Sequence, residues 1–193
     1  VSFCFDIYES FRGFAVEKKI DYKFVLNINT ALIYFDKNQM EKVIYNLLSN
    51  AFKFTSKNGR ITLAVEQKEE SDSIEIKVKD NGIGIPENRK KKIFKNFFQL
   101  DDRGSANLGS GIGLALSKSI VELHHGEIKV QTEADANFTT IFTITLKKGK
   151  DHFKKSQIVE SAIAVTETAS PISDVVTEVD IYETDYAEEL EGN

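Results

Sequence analysis

Asp80-Asn81-Gly82-Ile83-Gly84-Ile85 and Gly109-Ser110-Gly111-Ile112-Gly113-Leu114 are two glycine clusters on either side of a polar stretch of about two dozen residues. Upstream of both, the segment from Asp36 to Thr55 repeats asparagine one helical turn apart, at Asn46 and Asn50. Taken singly, each feature is weak. In this order and at this spacing they point to a chain that holds a nucleoside triphosphate and its magnesium ion beneath a mobile lid.

The asparagine segment has a helical period. Met40, Val43, Ile44, Leu47, Leu48 and Ala51 follow the i, i+3, i+4 rule and form one apolar stripe. Asn46, Asn50 and Lys53 form a second stripe, about a third of a turn away. They border the core, where a cleft wall belongs. An amide oxygen is a hard, neutral ligand, suited to a magnesium ion whose charge is balanced mostly by phosphates. Lys53 adds a compact positive charge for those phosphates. Polar residues on a helix edge are ordinarily no more than a solvated margin, and it is the glycine clusters that favour the functional reading.

In the first cluster, Asp80 ends a strand and enters a turn that Gly82 and Gly84 allow to approach a ligand closely. A carboxylate there accepts a hydrogen bond from an exocyclic amine, which separates adenine from guanine. In the second, Gly109, Gly111 and Gly113 lead into a helix N-terminus, whose free amides and dipole favour phosphate. A P-loop is excluded, because no lysine followed by serine or threonine comes after Gly113. A dinucleotide fingerprint is excluded too, because the cluster follows a long loop and not a strand. Between the clusters, Phe94 and Phe97 read as core anchors, and Asp101 to Leu108 as a polar lid. Arg103 is the one cation at the lid's tip, placed to reach a terminal phosphate or to stay solvated.

The remaining pattern supplies the frame. Ile7, Phe11, Phe14 and Ala15 recur at helical spacing; Ile20 to Ile28 and Ala31 to Phe35 read as strands. Asp36 is the expected N-cap of the asparagine helix. Asn58-Gly59 turns the chain into a strand from Arg60 to Gln67, paired with a second from Ser73 to Lys79 whose inward face is Ile74, Ile76 and Val78. Pro86 at N1 starts a short helix that ends near Phe94, Phe97 and Phe98. A further helix ends at His124-His125, with Gly126 as its C′ residue. Strands from Glu127 to Thr132 and from Thr139 to Leu146 close the domain near Lys150. The expected fold is α+β, a two-layer sandwich with a mixed sheet covered by helices on one face.

Bulk properties agree. The 193 residues suit one domain, residues 1–150, and an acidic linker or tail, residues 151–193; an apolar share of 41% suffices for a core. The net charge of −5 gives no reason to expect nucleic-acid binding, and no lysine or arginine follows Lys155. Within the tail, Val175, Thr177, Val179 and Ile181 alternate as a short strand would. Cys4 is the only cysteine, so a reducing compartment fits. There is no signal peptide and no apolar run of membrane-spanning length. The chain starts at Val1 without an initiator methionine and reads as a piece of a longer protein.

Asp36 to Thr55, Asp80 to Ile85, Ile93-Phe94 with Phe97, and Gly109 to Leu114 resemble the N, first-glycine, F and second-glycine boxes of sensor histidine kinases, over about residues 1–150. The resemblance implies the Bergerat ATP-binding fold that these kinases share with type II topoisomerases, a heat-shock chaperone and mismatch-repair clamps, with ATP and Mg2+ as cofactors. By the same likeness Asn50 is the metal ligand, with Asn46 beside it. Lys53 and Phe54 meet the phosphates and the base, and Asp80 binds the adenine amine. Gly82, Gly84, Ile85, Arg103, Gly109, Gly111, Ile112, Gly113 and Leu114 line the remainder of the nucleotide site. Ser110 and Ile112 stand where the family often has threonine and leucine, which are mild changes.

Clamp ATPases carry a glutamate as general base one turn before the metal asparagine; here Asn46 stands in that place and Glu41 lies on another face. The resemblance therefore implies γ-phosphoryl transfer to an external histidine rather than hydrolysis. None of His124, His125 and His152 sits in the family's Ser/Thr-His-Glu setting; His124 and His125 read as surface or capping residues at a helix end. The partners so implied are a phosphoacceptor and dimerisation domain of the same parent, placed before Val1, and a response-regulator receiver, in a hybrid parent reached through the acidic tail. This fragment is expected to be monomeric and cytoplasmic, binding neither membrane nor nucleic acid, with any membrane anchor of the parent outside this chain. Two other readings are a non-catalytic nucleotide-sensing module and, less in keeping with Asn46, a clamp ATPase.

Overall fold

The alternating apolar runs become one sheet in the computed structural model, which describes residues 2–28, 31–67, 71–95, 111–132 and 137–158. Its strands are β1 (Asp21–Asn27), β2 (Arg60–Gln67), β3 (Ser73–Asp80), β4 (Glu127–Thr132) and β5 (Thr140–Lys147), in the spatial order β1-β2-β3-β5-β4. Only the β1–β2 pair is parallel; the other three pairs are antiparallel. The sheet is mixed, as expected, and β3 lies at its centre.

Four helices accompany it among the described residues: α1 (Ser2–Ser10), α2 (Arg12–Lys18), α3 (Lys37–Phe54) and α4 (Gly113–Leu123). The apolar stripe of α3 explains its seat. Met40, Val43, Ile44, Leu47 and Leu48 are fully buried and join Ile61, Leu63, Ile76, Val78 and Ile144 of the sheet in one core. On β3 the strict alternation of buried and half-buried residues shows that one face meets this core. The other face carries Lys77, which contacts Glu66 at 2.6 Å and Glu75 at 2.7 Å. Lys79 reaches Glu66 as well, at 3.2 Å. By register, Lys77 lies opposite Ala64 and Lys79 opposite Thr62, both of which are buried, so the long lysine stems stand over the small residues of β2 on that side.

α3 starts where its cap predicts. The Asp36 carboxylate accepts the Gln39 N–H at 2.9 Å, an N-cap to N3 bond that satisfies one of the helix's free donors. Asp36→Ala is expected to cost about 1 kcal/mol of stability, read as a lower urea midpoint with unchanged slope.

Several local expectations give way to longer-range contacts. Ala31 to Phe35 does not form a strand in the sheet; Ile33 and Phe35 sit at isolated bridges, Ile33 in parallel register with Gly149. Its alternation is real, but among the described residues no strand of the five-strand sheet pairs with it continuously. Phe14 follows the helical spacing yet is 58% exposed, because the chain breaks between α1 and α2 and rotates the face. Pro86 precedes the next turn as its extended cap residue, φ −55° and ψ 137°, and Glu87–Arg89 is a single 3₁₀ turn and not a helix. Phe97 and Phe98 lie outside the described residues, as does the alternating stretch from Val175 to Ile181.

The end of α4 also differs. His125, not Gly126, adopts the left-handed C′ conformation, φ +55°. Its N–H donates to Glu122 O at 2.9 Å while the Gly126 N–H donates to Val121 O at 3.0 Å, a Schellman pair. Gly126 is required for another reason: a Cβ there would lie 2.6 Å from the Thr145 carbonyl. His124, expected at the surface, is 2% exposed. Its Nδ1 donates to Ile120 O at 2.7 Å and its Nε2 accepts the Asp36 N–H at 3.0 Å, so the neutral ring ties the end of α4 to the start of α3. Burial holds its pKa below the usual histidine range, in keeping with that neutral form. Past Lys150, Phe153 is buried and packs edge-on against His125 at 5.4 Å between centroids.

Candidate functional site

The alternation that buries Ile74, Ile76 and Val78 places a carboxylate at the last inward position of the central strand. Asp80 is only 5% exposed. Its Oδ1 accepts the Gly82 N–H at 2.9 Å, and Thr140, directly across on β5, donates its hydroxyl to the same carboxylate. Burial pushes the Asp80 pKa up to about 6, against the opposing pull of those two hydrogen bonds. A carboxylate has about four lone-pair sites. Two donors leave it room to accept a further N–H.

The turn after Asp80 is stitched to the end of α3. Ile83 N–H donates to Phe54 O at 3.2 Å, and the Gly82 carbonyl accepts the Thr139 hydroxyl at 2.9 Å. A Cβ at residue 82 would sit 2.5 Å from that Phe54 oxygen, so glycine is what lets the two segments close up. Gly84 then takes φ +72°, a left-handed turn position. Phe54 is half-buried next to this turn, and the Lys53 ammonium lies 5.4 Å from the Phe54 ring centroid. Ile85 packs on the core behind it.

One turn before Phe54, Asn50 is half-buried, and no protein group hydrogen-bonds its side chain among the described residues. Asn46, a further turn back, is differently placed: its Nδ2 donates to Ser117 Oγ on α4 at 2.9 Å. α4 begins at Gly113 after Gly111 at φ +71° and Ile112, with no side-chain cap. Its first-turn amides are thus not taken by a capping side chain, as a phosphate site requires. Leu114 packs on the core, while Ile112 is 40% exposed.

The fold thus joins Asp80, Gly82 and Phe54 into one wall and sets Asn46 against α4. Arg103 and Gly109 lie outside the described residues. Reading the sequence missed Thr140, Thr139 and Ser117. Nothing local marks the two threonines, because their role follows from the β3–β5 register, which only the folded sheet fixes. Among the described residues no group of three histidine, cysteine or acidic side chains could hold a metal ion. A divalent cation here would need phosphate oxygens beside the Asn50 amide, which fits a metal that arrives with its nucleotide.

The profile of the family described as histidine kinase-, DNA gyrase B- and HSP90-like ATPase matches residues 35–150. Histidine kinase P4 of Formosa agariphila is 37% identical over 163 residues, covering 82% of this chain and 12% of that protein. The sensor histidine kinase WalK of Bacillus subtilis is 31% identical over 141 residues, covering 72% of this chain and 23% of its own. The chain therefore spans a small part of either curated relative. Among solved structures, the nucleotide-free catalytic domain of histidine kinase ThkA aligns with a TM-score of 0.66 at 26% identity, over 76% of this chain and 92% of that one.

Proposed function

This chain belongs to the histidine kinase-, DNA gyrase B- and HSP90-like ATPase family, and we propose that it holds Mg-ATP and presents the γ-phosphoryl group to a histidine of a separate phosphoacceptor domain. Bound Mg-ATP supplies the transferable phosphoryl group. The chain's residues do the rest by positioning and electrostatics.

In this reading the Asp80 carboxylate accepts the adenine amine, while Gly82 and Gly84 let the base approach the strand end. Phe54 lies along the base, and Lys53 offsets phosphate charge. Asn50 holds the magnesium ion through its amide oxygen. The first-turn amides of α4, with Gly109, Gly111 and Ile112 before them, receive the phosphates. Arg103 serves the terminal phosphate from the lid, and Ile85 and Leu114 form an apolar floor. Residues 151–193 serve as an acidic linker towards a receiver domain.

One observation favours transfer over hydrolysis. The sole carboxylate of α3, Glu41, is exposed on another face, so no general base for water stands on the Asn46–Asn50 stripe. The test is incubation with Mg-ATP labelled in the γ position, with and without the parent's phosphoacceptor domain. Label should pass to a histidine of that domain, and the chain alone should release phosphate slowly. Rapid phosphate release by the chain alone, with no labelled acceptor, would overturn the assignment in favour of a clamp ATPase.

A further inference from the structure

Asn46 and Asn50 share one stripe of α3, yet the structure gives their amides different surroundings. Asn50 makes no side-chain hydrogen bond among the described residues, whereas Asn46 donates through Nδ2 to Ser117 Oγ at 2.9 Å. Ser117 is 2% exposed and lies one turn into α4. A Cβ added at Gly113, the first residue of that helix, would fall 2.3 Å from Asn46 Oδ1 and 2.9 Å from its Cγ. The Asn46 side chain therefore runs along the first turn of α4, from Gly113 to Ser117. It occupies the space that any side chain at position 113 would need.

We infer that Asn46 is a positioning residue, which sets the phosphate-facing first turn of α4 against α3 through Ser117 and leaves the metal to Asn50 alone. This rests on the nucleotide site proposed above. The chemistry of the pair supports it. An amide brings both a donor for the Ser117 hydroxyl and an uncharged oxygen that tolerates close backbone approach at Gly113. A carboxylate at 46 would put a negative charge at the helix end that must attract phosphate. The far end of the same helix pair is held by His124, between Ile120 O and the Asp36 N–H. Two polar ties thus fix α4 along α3, one at each end of α4, and Asn46–Ser117 is the tie beside the ligand.

The experiment is a double-mutant cycle on Asn46→Ala and Ser117→Ala, read by calorimetric Mg-ATP affinity and by the magnesium concentration giving half-maximal binding. Each single variant should weaken ATP binding roughly three- to tenfold, the worth of one hydrogen bond. The double variant should bind no worse than the weaker single. The magnesium midpoint should stay at the wild-type value in all three, a readout that loss of a metal ligand would move. Thermal unfolding reports separately on stability. Should Ser117→Ala fail to fold, Ser117→Cys keeps the size with a weaker hydrogen-bonding group, and its affinity should fall between those of wild type and Asn46→Ala. The inference is overturned if either serine variant binds like wild type, if the two losses add, or if Asn46→Ala shifts the magnesium midpoint. Wild-type protein that binds no Mg-ATP would instead remove the site assignment, and this inference with it.

Discussion

Asp80→Asn should weaken ATP binding by about 1.5–3 kcal/mol, or ten- to a hundredfold, while making the nucleotide-free protein more stable. Both effects have one origin. Asp80 is 5% exposed, and burial pushes its pKa up to about 6, well above the 3.8 of a free aspartate. Between those two values the folded state binds more protons than the unfolded one, so stability falls as pH rises through that window. At neutral pH the fold carries the full penalty, on the order of 3 kcal/mol. An amide has no charge to desolvate and keeps an oxygen for the Gly82 N–H and the Thr140 hydroxyl. The variant's melting temperature should therefore exceed that of wild type at pH 7.5, and the difference should shrink as the pH is lowered towards 4. Binding moves the other way, because the charged acceptor for the adenine amine is lost. Titration calorimetry with ATP and GTP at pH 7.5 reads affinity and selectivity together. Unchanged ATP affinity in Asp80→Asn would show that the buried carboxylate is not the base-recognition group.

That trade explains what could and could not be read from the sequence. Elements set by local chemistry were legible: the Asp36 cap, the apolar stripe of α3, the Asn58-Gly59 turn with Asn58 at φ +65°, and the alternation of β3. Asp80 is legible as the residue that ends β3 and enters the Gly82 turn; its burial is a finding of the fold. What stayed hidden depends on partners far along the sequence. Ala31 to Phe35 alternates like a strand, but in the fold it makes isolated bridges at Ile33 and Phe35 and joins no strand of the sheet. His124 looks like a helix-end residue until Asp36, 88 positions earlier, is brought against its ring. Thr140 acquires a role only through the register that sets it opposite Asp80. Helical spacing marks Asn46 as a residue of the cleft margin, but its bond to Ser117, 71 positions away, is set by the fold and not by that spacing. The residue types were visible; which of their atoms were already engaged was not.

Asn50→Ala should abolish the magnesium dependence of ATP binding, leaving affinity that no longer rises when the metal is added. Asn50 is half-buried on the cleft margin of α3, and its side chain has no protein hydrogen bond to lose among the described residues. Removing its amide should therefore cost little in folding, within about 0.5 kcal/mol apart from helix propensity, which favours alanine. This separates it from Asn46, whose truncation breaks the bond to a buried serine. Binding without magnesium should be nearly the same in Asn50→Ala and wild type. With saturating magnesium the variant should bind roughly ten- to a hundredfold more weakly than wild type, because an amide–metal contact is lost where low dielectric strengthens it. The measurement is an ATP titration repeated across magnesium concentrations for wild type, Asn46→Ala and Asn50→Ala. A variant at position 50 that keeps the wild-type magnesium curve would move the metal to another ligand. A loss of equal size with and without magnesium would mean that Asn50 contacts the nucleotide itself.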